Sequence, residues 1–162
     1  MKNLKKDLSL VSQIDWARLA AFIDGEGCVC IGIVSHNPND PQYQRRPKNE
    51  FVRVAIVNTD LRLGLWLQET FGGALSIKTL QNKKHKTAYQ WTVSCAIACD
   101  VLRGCLPYFI CKRDQAELAL ALQATMKQWG VKGVPQDVIE QRAAIRTKMH
   151  VLNKKGANEN IA

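Results

Sequence analysis

A carboxylate enclosed by two glycines stands at the end of a predicted helix. The segment is Asp24-Gly25-Glu26-Gly27, and the glycines permit the open backbone of a helix terminus. Glu26 falls where free carbonyls give a helix its partial negative end, so a carboxylate there is electrostatically misplaced unless a cation binds. A carboxylate together with backbone carbonyls such as that of Gly25 is the hard-oxygen environment that Mg²⁺ or Ca²⁺ prefers. The alternative is a plain helix end with an exposed acid.

The helix leading to this carboxylate, predicted from Ile14 to Gly25, has two apolar faces. Ala17, Ala21 and Gly25 recur at i, i+4 and i+8 and allow a second backbone to approach closely. A second face, with the spacing of a core-facing stripe, consists of Trp16, Leu19, Ala20 and Ile23. The pattern therefore predicts a helix that packs on its own core and on another helix.

The nonapeptide Leu19 to Gly27, read as Leu-Ala-Ala-Phe-Ile-Asp-Gly-Glu-Gly, resembles the signature of the LAGLIDADG homing endonucleases. The departures are Ala21 for glycine, Phe22 for leucine, Gly25 for alanine and Glu26 for aspartate. Only one copy is present, which in that family implies a homodimer. The resemblance makes Glu26 the catalytic, metal-binding acid and assigns the dimer interface to Ala17, Ala21 and Gly25.

A second stretch, Leu106 to Ala116, resembles the segment of single-motif family members in which a lysine precedes the fourth helix. The resemblance places Lys112 near the scissile phosphate, where a cation stabilises developing charge. The alternative is a surface lysine. The family also has a polar residue at the end of the second strand, which Asn58 matches, and Arg62 would reach the same pocket. Asn58 is also a natural helix N-cap, and Arg62 an ordinary surface charge.

The hydrophobic periodicity predicts helices and strands in the order αββαββα, followed by further C-terminal helices, which makes an α+β domain. After the first helix, strands are predicted at 28–36, 51–57, 75–80 and 87–95. Helices are predicted after the Asn58-Thr59-Asp60 cap to Phe71, and at 96–106, 114–128 and 135–152. One domain spans 1–152, and 153–162 is a polar tail.

The resemblance implies that the outward sheet face forms a saddle in the DNA major groove, as antiparallel strands can do. Alternation along the strands places these residues on that face: Cys30, Gly32, Val34, His36, Arg53, Ala55, Ser76, Lys78, Gln90 and Thr92. Basic residues of the long loop and the hairpin tip are read as phosphate contacts: Arg45, Arg46, Lys48, Lys83, Lys84, His85 and Lys86. Each basic residue could equally be a solvated charge.

Composition favours a nucleic-acid partner. The 162 residues carry 23 Lys and Arg against 14 Asp and Glu, a net charge of +9 that attracts phosphate strongly. No apolar run approaches the ~20 residues that span a bilayer, and the N-terminus resembles neither a secretory signal nor a transit peptide. Six cysteines match no zinc spacing and are read as buried or half-buried free thiols in a reducing compartment, either an organelle or a prokaryotic cytoplasm.

The function implied by the resemblance is homing: metal-dependent double-strand cleavage of a long, nearly palindromic DNA site, leaving 3′ overhangs. Mg²⁺ is the expected cofactor, and Ca²⁺ is expected to support binding without cleavage. The expected partners are double-stranded DNA and a second copy of the chain, with no membrane and no small-molecule substrate. Two alternatives stay open, an intron RNA maturase and a non-catalytic DNA-binding protein on the same fold.

Overall fold

A computed structural model describes residues 6–34, 50–78, 86–126 and 134–154. Two short 3-10 helices, Leu8–Leu10 and Leu106–Tyr108, accompany the regular elements. Those elements are, in chain order, α1 (Gln13–Glu26), β1 (Gly27–Ile33), β2 (Glu50–Asn58), α2 (Leu61–Phe71), β3 (Ala74–Lys78), β4 (Ala88–Ser94), α3 (Cys95–Cys105), α4 (Arg113–Ala124) and α5 (Gln136–Leu152). The predicted α+β class is confirmed.

The four strands form one antiparallel sheet in the spatial order β1-β2-β4-β3. Alternate residues of the central strands, such as Val52, Val54 and Ile56 of β2, are buried against the helices. The side chains between them point to the other side, because successive residues of a strand face opposite ways. The helices therefore cover one face of the sheet, and the opposite face is the outward face predicted from the alternation.

The first helix begins where the sequence favours a cap. The Ser12 hydroxyl accepts a hydrogen bond from the Asp15 backbone N–H at 3.1 Å and donates one to the Asp15 carboxylate at 2.7 Å. This reciprocal cap satisfies one of the backbone N–H groups that every helix start leaves free. Leu19, Ala20 and Ile23 are fully buried, so the predicted core face of α1 is confirmed.

Aromatic rings fill the core between α1, α2 and the sheet. Phe71 has its ring centroid 5.1 Å from that of Trp16, 5.5 Å from that of Trp66 and 6.5 Å from that of Trp91. The indole N–H of the buried Trp91 donates to the Gly72 carbonyl at 2.8 Å, so its polar group is satisfied. This core fixes α1 against the sheet and thereby sets the position of its C-terminal end.

The element predictions differ from the structure mainly at the ends. Helix α4 ends at Ala124, whereas the periodicity carried it to Gln128. The buried Arg142 of α5 donates to the Thr125 carbonyl at 2.6 Å and to its hydroxyl at 2.8 Å, which supplies a partner where the helix stops. In the part of the chain described, no helix combines the length and apolar character needed to cross a membrane.

Candidate active site and nucleic-acid interface

The site begins at a junction where α1 passes into β1 without a loop. The Gly27 N–H closes the helix by donating to the carbonyls of Ile23 and Phe22, and Gly27 is already the first residue of the strand. A Cβ added at Gly27 would lie 2.5 Å from the Cα of Ile23, so a side chain does not fit there. The preceding residue, Glu26, is the last residue of the helix and lies exposed at the start of the strand.

The Glu26 carboxylate meets the side chain of Asn58 at the end of β2. The Asn58 amide nitrogen donates to Glu26 Oε2 at 2.7 Å. The amide oxygen of Asn58 accepts the backbone N–H of Asp60 at 2.8 Å, which fixes the amide with its NH₂ group towards Glu26. The structure therefore brings together two residues that the sequence predicted to share a site, and a neutral amide orients the carboxylate without cancelling its charge.

Asp24 was not among the predicted site residues, yet it holds the site together. Its carboxylate accepts backbone N–H groups of Ile110 at 2.8 Å, Cys111 at 3.1 Å and Lys112 at 2.8 Å. These amides lie at the start of α4, where the helix dipole favours a negative charge. The hydrogen bonds tie the last turn of α1 to the residues before α4. Because a second acid two residues before Glu26 is the only sequence signal, its structural role was not predicted.

The hydrogen bonds of Asp24 bring Lys112 next to the last turn of α1, the turn that contains Glu26. Lys112 is half-buried and immediately precedes α4. Its charge acts on the thiol of Cys28, the second residue of β1, although the pKa of Cys28 is raised by a hydrogen bond with Cys30 and by burial. The backbone of Lys112 therefore lies beside the last turn of α1, and its place near a scissile phosphate stays a prediction from the resemblance.

The structure pairs Arg62 with Asp60 and not with Glu26. Its side chain, 90% exposed, donates to the Asp60 carboxylate with an N–O distance of 2.6 Å. Hydrogen bonds from the side chain and backbone of Arg62 lower the pKa of Asp60 to about 2. Asp60 is also the N-cap of α2, a role that the sequence offered to Asn58. In this arrangement Arg62 faces solvent beside the helix cap.

The outward face is arranged in cross-strand rows. One row runs across the four strands through Cys28, Ala55, Thr92 and Ala74. The next row runs through Cys30, Arg53 and Ser94. A further row joins Val57, Gln90 and Ser76. Gln90 links this row to the first by donating to the Thr92 hydroxyl at 3.1 Å. Hydrogen-bonding groups and small apolar groups therefore alternate across the face, a mixture suited to reading base edges.

One predicted position on this face is covered. A Cβ added at Gly32 would lie 2.4 Å from the ring of Phe51, its partner across β1 and β2, so the Phe51 ring lies over the glycine. Phe51, rather than Gly32, presents a side chain at this place. Continuing the alternation of β2 back from Arg53 reaches Phe51, and that signal was available in the sequence.

Several predicted contact residues lie outside the described part of the chain, namely His36, Arg45, Arg46, Lys48, Lys83, Lys84 and His85. Val34 follows β1 and is 40% exposed, and Lys78 and Lys86 are exposed at the hairpin that joins β3 to β4. The described residues alone thus place cationic groups at one end of the outward face.

The small-residue face of α1 lies open in the single chain. Ala21 and Gly25 are exposed, Ala17 is half-buried, and a Cβ added at Gly25 would meet no atom within 4 Å. The first turn of α1 adds Ile14, 65% exposed, and the 3-10 helix before it adds Leu10, 85% exposed. Large apolar side chains at such exposure mark an interaction surface when they adjoin one another.

The cysteine prediction needs correction. All six cysteines are free, but only Cys99 and Cys105 are buried. Cys28, Cys95 and Cys111 are exposed and Cys30 is half-buried, because two of these follow the outward side of β1 and the others lie at helix starts. The apolar neighbours in sequence belong to the opposite side of the strand and therefore misled the prediction.

These features define an α+β protein in which helices cover one face of a four-stranded antiparallel sheet and a helix end delivers an acid to the rim of the other. No family model matches the sequence, and no curated protein matches it. Solved structures do. The homing endonuclease I-CvuI, in complex with its target, superposes with a TM-score of 0.65 at 22% identity, over 88% of this chain and 85% of that one.

Two further structures agree. The archaeal intron-encoded homing endonuclease I-Vdi141I, complexed with DNA, gives a TM-score of 0.66 at 14% identity, over 88% of this chain and 86% of that one. The LAGLIDADG homing endonuclease I-LtrWI, bound to target DNA, gives 0.58 at 19% identity, over 91% of this chain and 47% of that one. The chain therefore has the fold of the LAGLIDADG homing endonucleases, and the resemblance seen in its nonapeptide is confirmed at the level of the fold.

Proposed function

We propose that the protein is a homodimeric, site-specific homing endonuclease. It would cleave both strands of a long, nearly palindromic DNA site in a metal-dependent reaction that leaves 3′ overhangs. The observation that carries the proposal is the exposed Glu26 carboxylate at the α1–β1 junction, oriented by Asn58 at 2.7 Å. An acid that only ended a helix would need no such partner from another strand.

Binding of double-stranded DNA is supported by charge and shape. The net charge of +9 attracts a polyanion, and the outward face presents Arg53, Gln90 and Thr92 where base edges would lie. Lys78 and Lys86 at the hairpin suit phosphate contacts, which position a protein without specifying sequence. The solved structures of the same fold were determined as DNA complexes.

A homodimer is supported by the open face of α1. Ala21 and Gly25 would let two copies of the helix approach closely, while Ile14 and Leu10 would be buried at its outer end. The comparison with I-LtrWI also supports a homodimer. This chain covers 47% of that protein, so two copies of this chain correspond to its length. The twofold symmetry of such a pair favours a nearly palindromic target.

The residues at the acid fit a divalent ion shared with DNA. The described residues contain no cluster of three or more His, Cys, Asp or Glu side chains that could hold a metal. One protomer thus offers the Glu26 carboxylate and the carbonyl of Gly25, a donor set that Mg²⁺ completes with substrate phosphates and water. When bound, the ion would activate water and stabilise the leaving 3′-oxygen. Glu26 of each protomer would hold it.

The protein side chains then have separate tasks. Asn58 would fix the Glu26 carboxylate and orient the attacking water through its amide. Lys112, held near the acid by the bond of its backbone N–H to Asp24, would place a positive charge near the scissile phosphate as negative charge develops on it. The rows of the outward face would fix the register of the strands, so that each phosphodiester meets one Glu26.

Cleavage of a randomised duplex library in Mg²⁺ tests the proposal, with recovered ends sequenced to give target and overhang together. We expect Glu26→Gln to abolish cleavage while keeping fold, dimer and DNA binding in Ca²⁺, because the amide keeps the shape but loses the charge. Glu69→Gln, at an exposed glutamate of α2, is the matched control and should cut normally.

A glutamine variant that cut at the wild-type rate would overturn the assignment of Glu26. If the wild-type protein bound duplex DNA but cut no member of the library, the chain would be a non-catalytic DNA-binding protein. Preference for a folded intron RNA over duplex DNA would point to a maturase.

A further inference from the structure

Two thiols stand side by side on the outward face of β1. Cys28 and Cys30 are two residues apart in the strand, so their side chains project to the same side. Cys28 is exposed and Cys30 half-buried. Arg53 lies directly opposite Cys30 on β2. The proposed cleavage reaction uses neither thiol.

This setting makes the two thiols unequal. The neighbouring Cys28 and the positive charge of Arg53, which lies opposite Cys30 on β2, lower the pKa of Cys30 to about 6, although partial burial acts in the opposite direction. Since the thiolate is the nucleophile, Cys30 is the reactive member of the pair at neutral pH.

A groove adjoins Cys30 between β1 and α5. It has a volume of about 410 Å³ and is lined by Cys30, Ile31, Arg146, Thr147 and His150, among others. Arg146 pairs with the buried Glu50, so its charge is partly offset, whereas Thr147 and His150 are exposed. Arg53, opposite Cys30 on β2, supplies a positive charge, and the groove supplies the polar groups of Thr147 and His150, which together suit a small, anionic peptide attached through sulfur.

We propose that Cys30 is a modification site for small anionic disulfides of the glutathione type. The Cys30 thiolate attacks one sulfur of oxidised glutathione, the new bond joins Cys30 to a glutathionyl group, the original S–S bond breaks, and glutathione leaves as a thiolate that takes a proton from water. Oxidised glutathione is itself the oxidant in this exchange, and no further oxidant is needed.

The adduct should persist, because Cys28 is poorly placed to displace it. Residues two apart in a strand have Cα atoms ~6.6 Å apart, at the long end of the range that a disulfide spans. Resting on the proposed function, the consequence is loss of DNA binding, since the glutathionyl group would occupy the outward face. The modification itself stands without that function.

The site is tested without DNA. The protein is incubated with oxidised glutathione at pH 6, and peptide mass spectrometry follows each cysteine over time. At that pH a thiol of pKa about 6 is half ionised, which outweighs its weaker nucleophilicity and gives a rate about tenfold above that of a thiol with the usual pKa of about 8.5. We expect Cys30 to react first, ahead of the exposed Cys95 and Cys111.

Variants separate this site from simple exposure. Arg53→Gln and Cys28→Ala should each slow the reaction of Cys30 at least threefold at pH 6, whereas the matched control Arg18→Gln, at an exposed arginine of α1, should not. Equal rates at Cys30, Cys95 and Cys111, or unchanged rates in both variants, would overturn the site.

A second arm measures anisotropy of a fluorescent random-sequence duplex at low salt. Glutathionylation should weaken binding at least tenfold, dithiothreitol should restore it, and Cys30→Ser should be insensitive to the treatment. Full binding by the modified protein would disprove the DNA consequence. Failure of the reduced protein to bind any duplex would instead contradict the proposed function, while the mass spectrometry would still decide the site.

Discussion

At the residue scale, the main contrast is between the partners of Glu26 and Asp60. Hydrogen bonds from the side chain and the backbone of Arg62 hold the pKa of Asp60 at about 2, while the neutral amide of Asn58 donates to Glu26. An ion pair largely neutralises a carboxylate, whereas a single amide leaves its charge available. In the proposed reaction Glu26 would therefore be the acid that binds the cation, whereas Asp60 caps α2.

Lys112→Met should slow cleavage about a hundredfold with little change in DNA affinity. A charge that acts mainly in the transition state contributes about 3 kcal/mol to the rate and little to ground-state binding. Single-turnover cleavage at saturating DNA, beside an equilibrium binding titration, measures both quantities. The control Lys86→Met, at an exposed hairpin lysine, should weaken binding and leave the saturated rate unchanged. Equal losses of binding and rate would make Lys112 a phosphate anchor.

Sequence reasoning went furthest where a residue's role follows from its neighbours in the chain. Glu26 was predicted because it ends a helix within the nonapeptide, and Asn58 because the resemblance places a polar residue at the end of the second strand. Arg62 was placed in the same pocket because sequence spacing does not reveal that Asp60 binds it first. Asp24 was missed because its partners, residues 110–112, lie far along the chain.

At the element scale, the three hydrogen bonds of Asp24 hold α1 to the start of α4. In these bonds one charged carboxylate accepts three successive backbone N–H groups. Hydrogen bonds to charged groups contribute about 1.5–3 kcal/mol each, more than neutral ones. The geometry between Glu26 and Lys112 therefore depends on a residue that need not touch DNA.

Asp24→Asn should lower the free energy of unfolding by about 2 kcal/mol, because one acceptor oxygen becomes an NH₂ group facing backbone N–H donors. Denaturant titration measures this loss. Asp100→Asn, which removes the partner of Arg103 in an exposed pair on α3, is the control and should cost less than about 1 kcal/mol. The Asp24 variant should also cleave more slowly at saturating DNA. Unchanged stability would show that the tie contributes little.

Element type was predictable from periodicity, and element ends were less so. Val52, Val54 and Ile56 alternate with outward residues, which identifies β2 as a strand with one buried face. The end of α4 depends instead on Arg142, which reaches Thr125 from another helix. Local patterns carry no information about such distant partners, so the predicted helix was too long.

At the scale of the whole molecule, the open face of α1 decides how two copies would meet. Ala21→Leu should weaken the dimer by about 2–6 kcal/mol over its two symmetric sites, more than tenfold in dissociation constant, because overpacking costs about 1–3 kcal/mol per site. Sedimentation velocity measures the shift. Since Ala21 is exposed in one chain, the monomer should stay folded.

Ala144→Leu, at an exposed alanine of α5, is the matched control and should leave the sedimentation profile unchanged. An Ala21→Leu profile identical to wild type would place the interface elsewhere. Loss of DNA affinity in step with loss of the dimer would further tie binding to the assembly.

Because no loop separates α1 from β1 at Gly27, a shift of the helix would be transmitted directly to the strand. In the proposed dimer, the pair of α1 helices at the centre would set the distance between the outward faces of the two sheets. No loop would be present to adjust that distance. One base pair added at the centre of a target shifts a half-site by about 3.4 Å and rotates it by about 35°. The protein would thus tolerate base-pair substitutions within each half-site better than a change in the spacing between the half-sites.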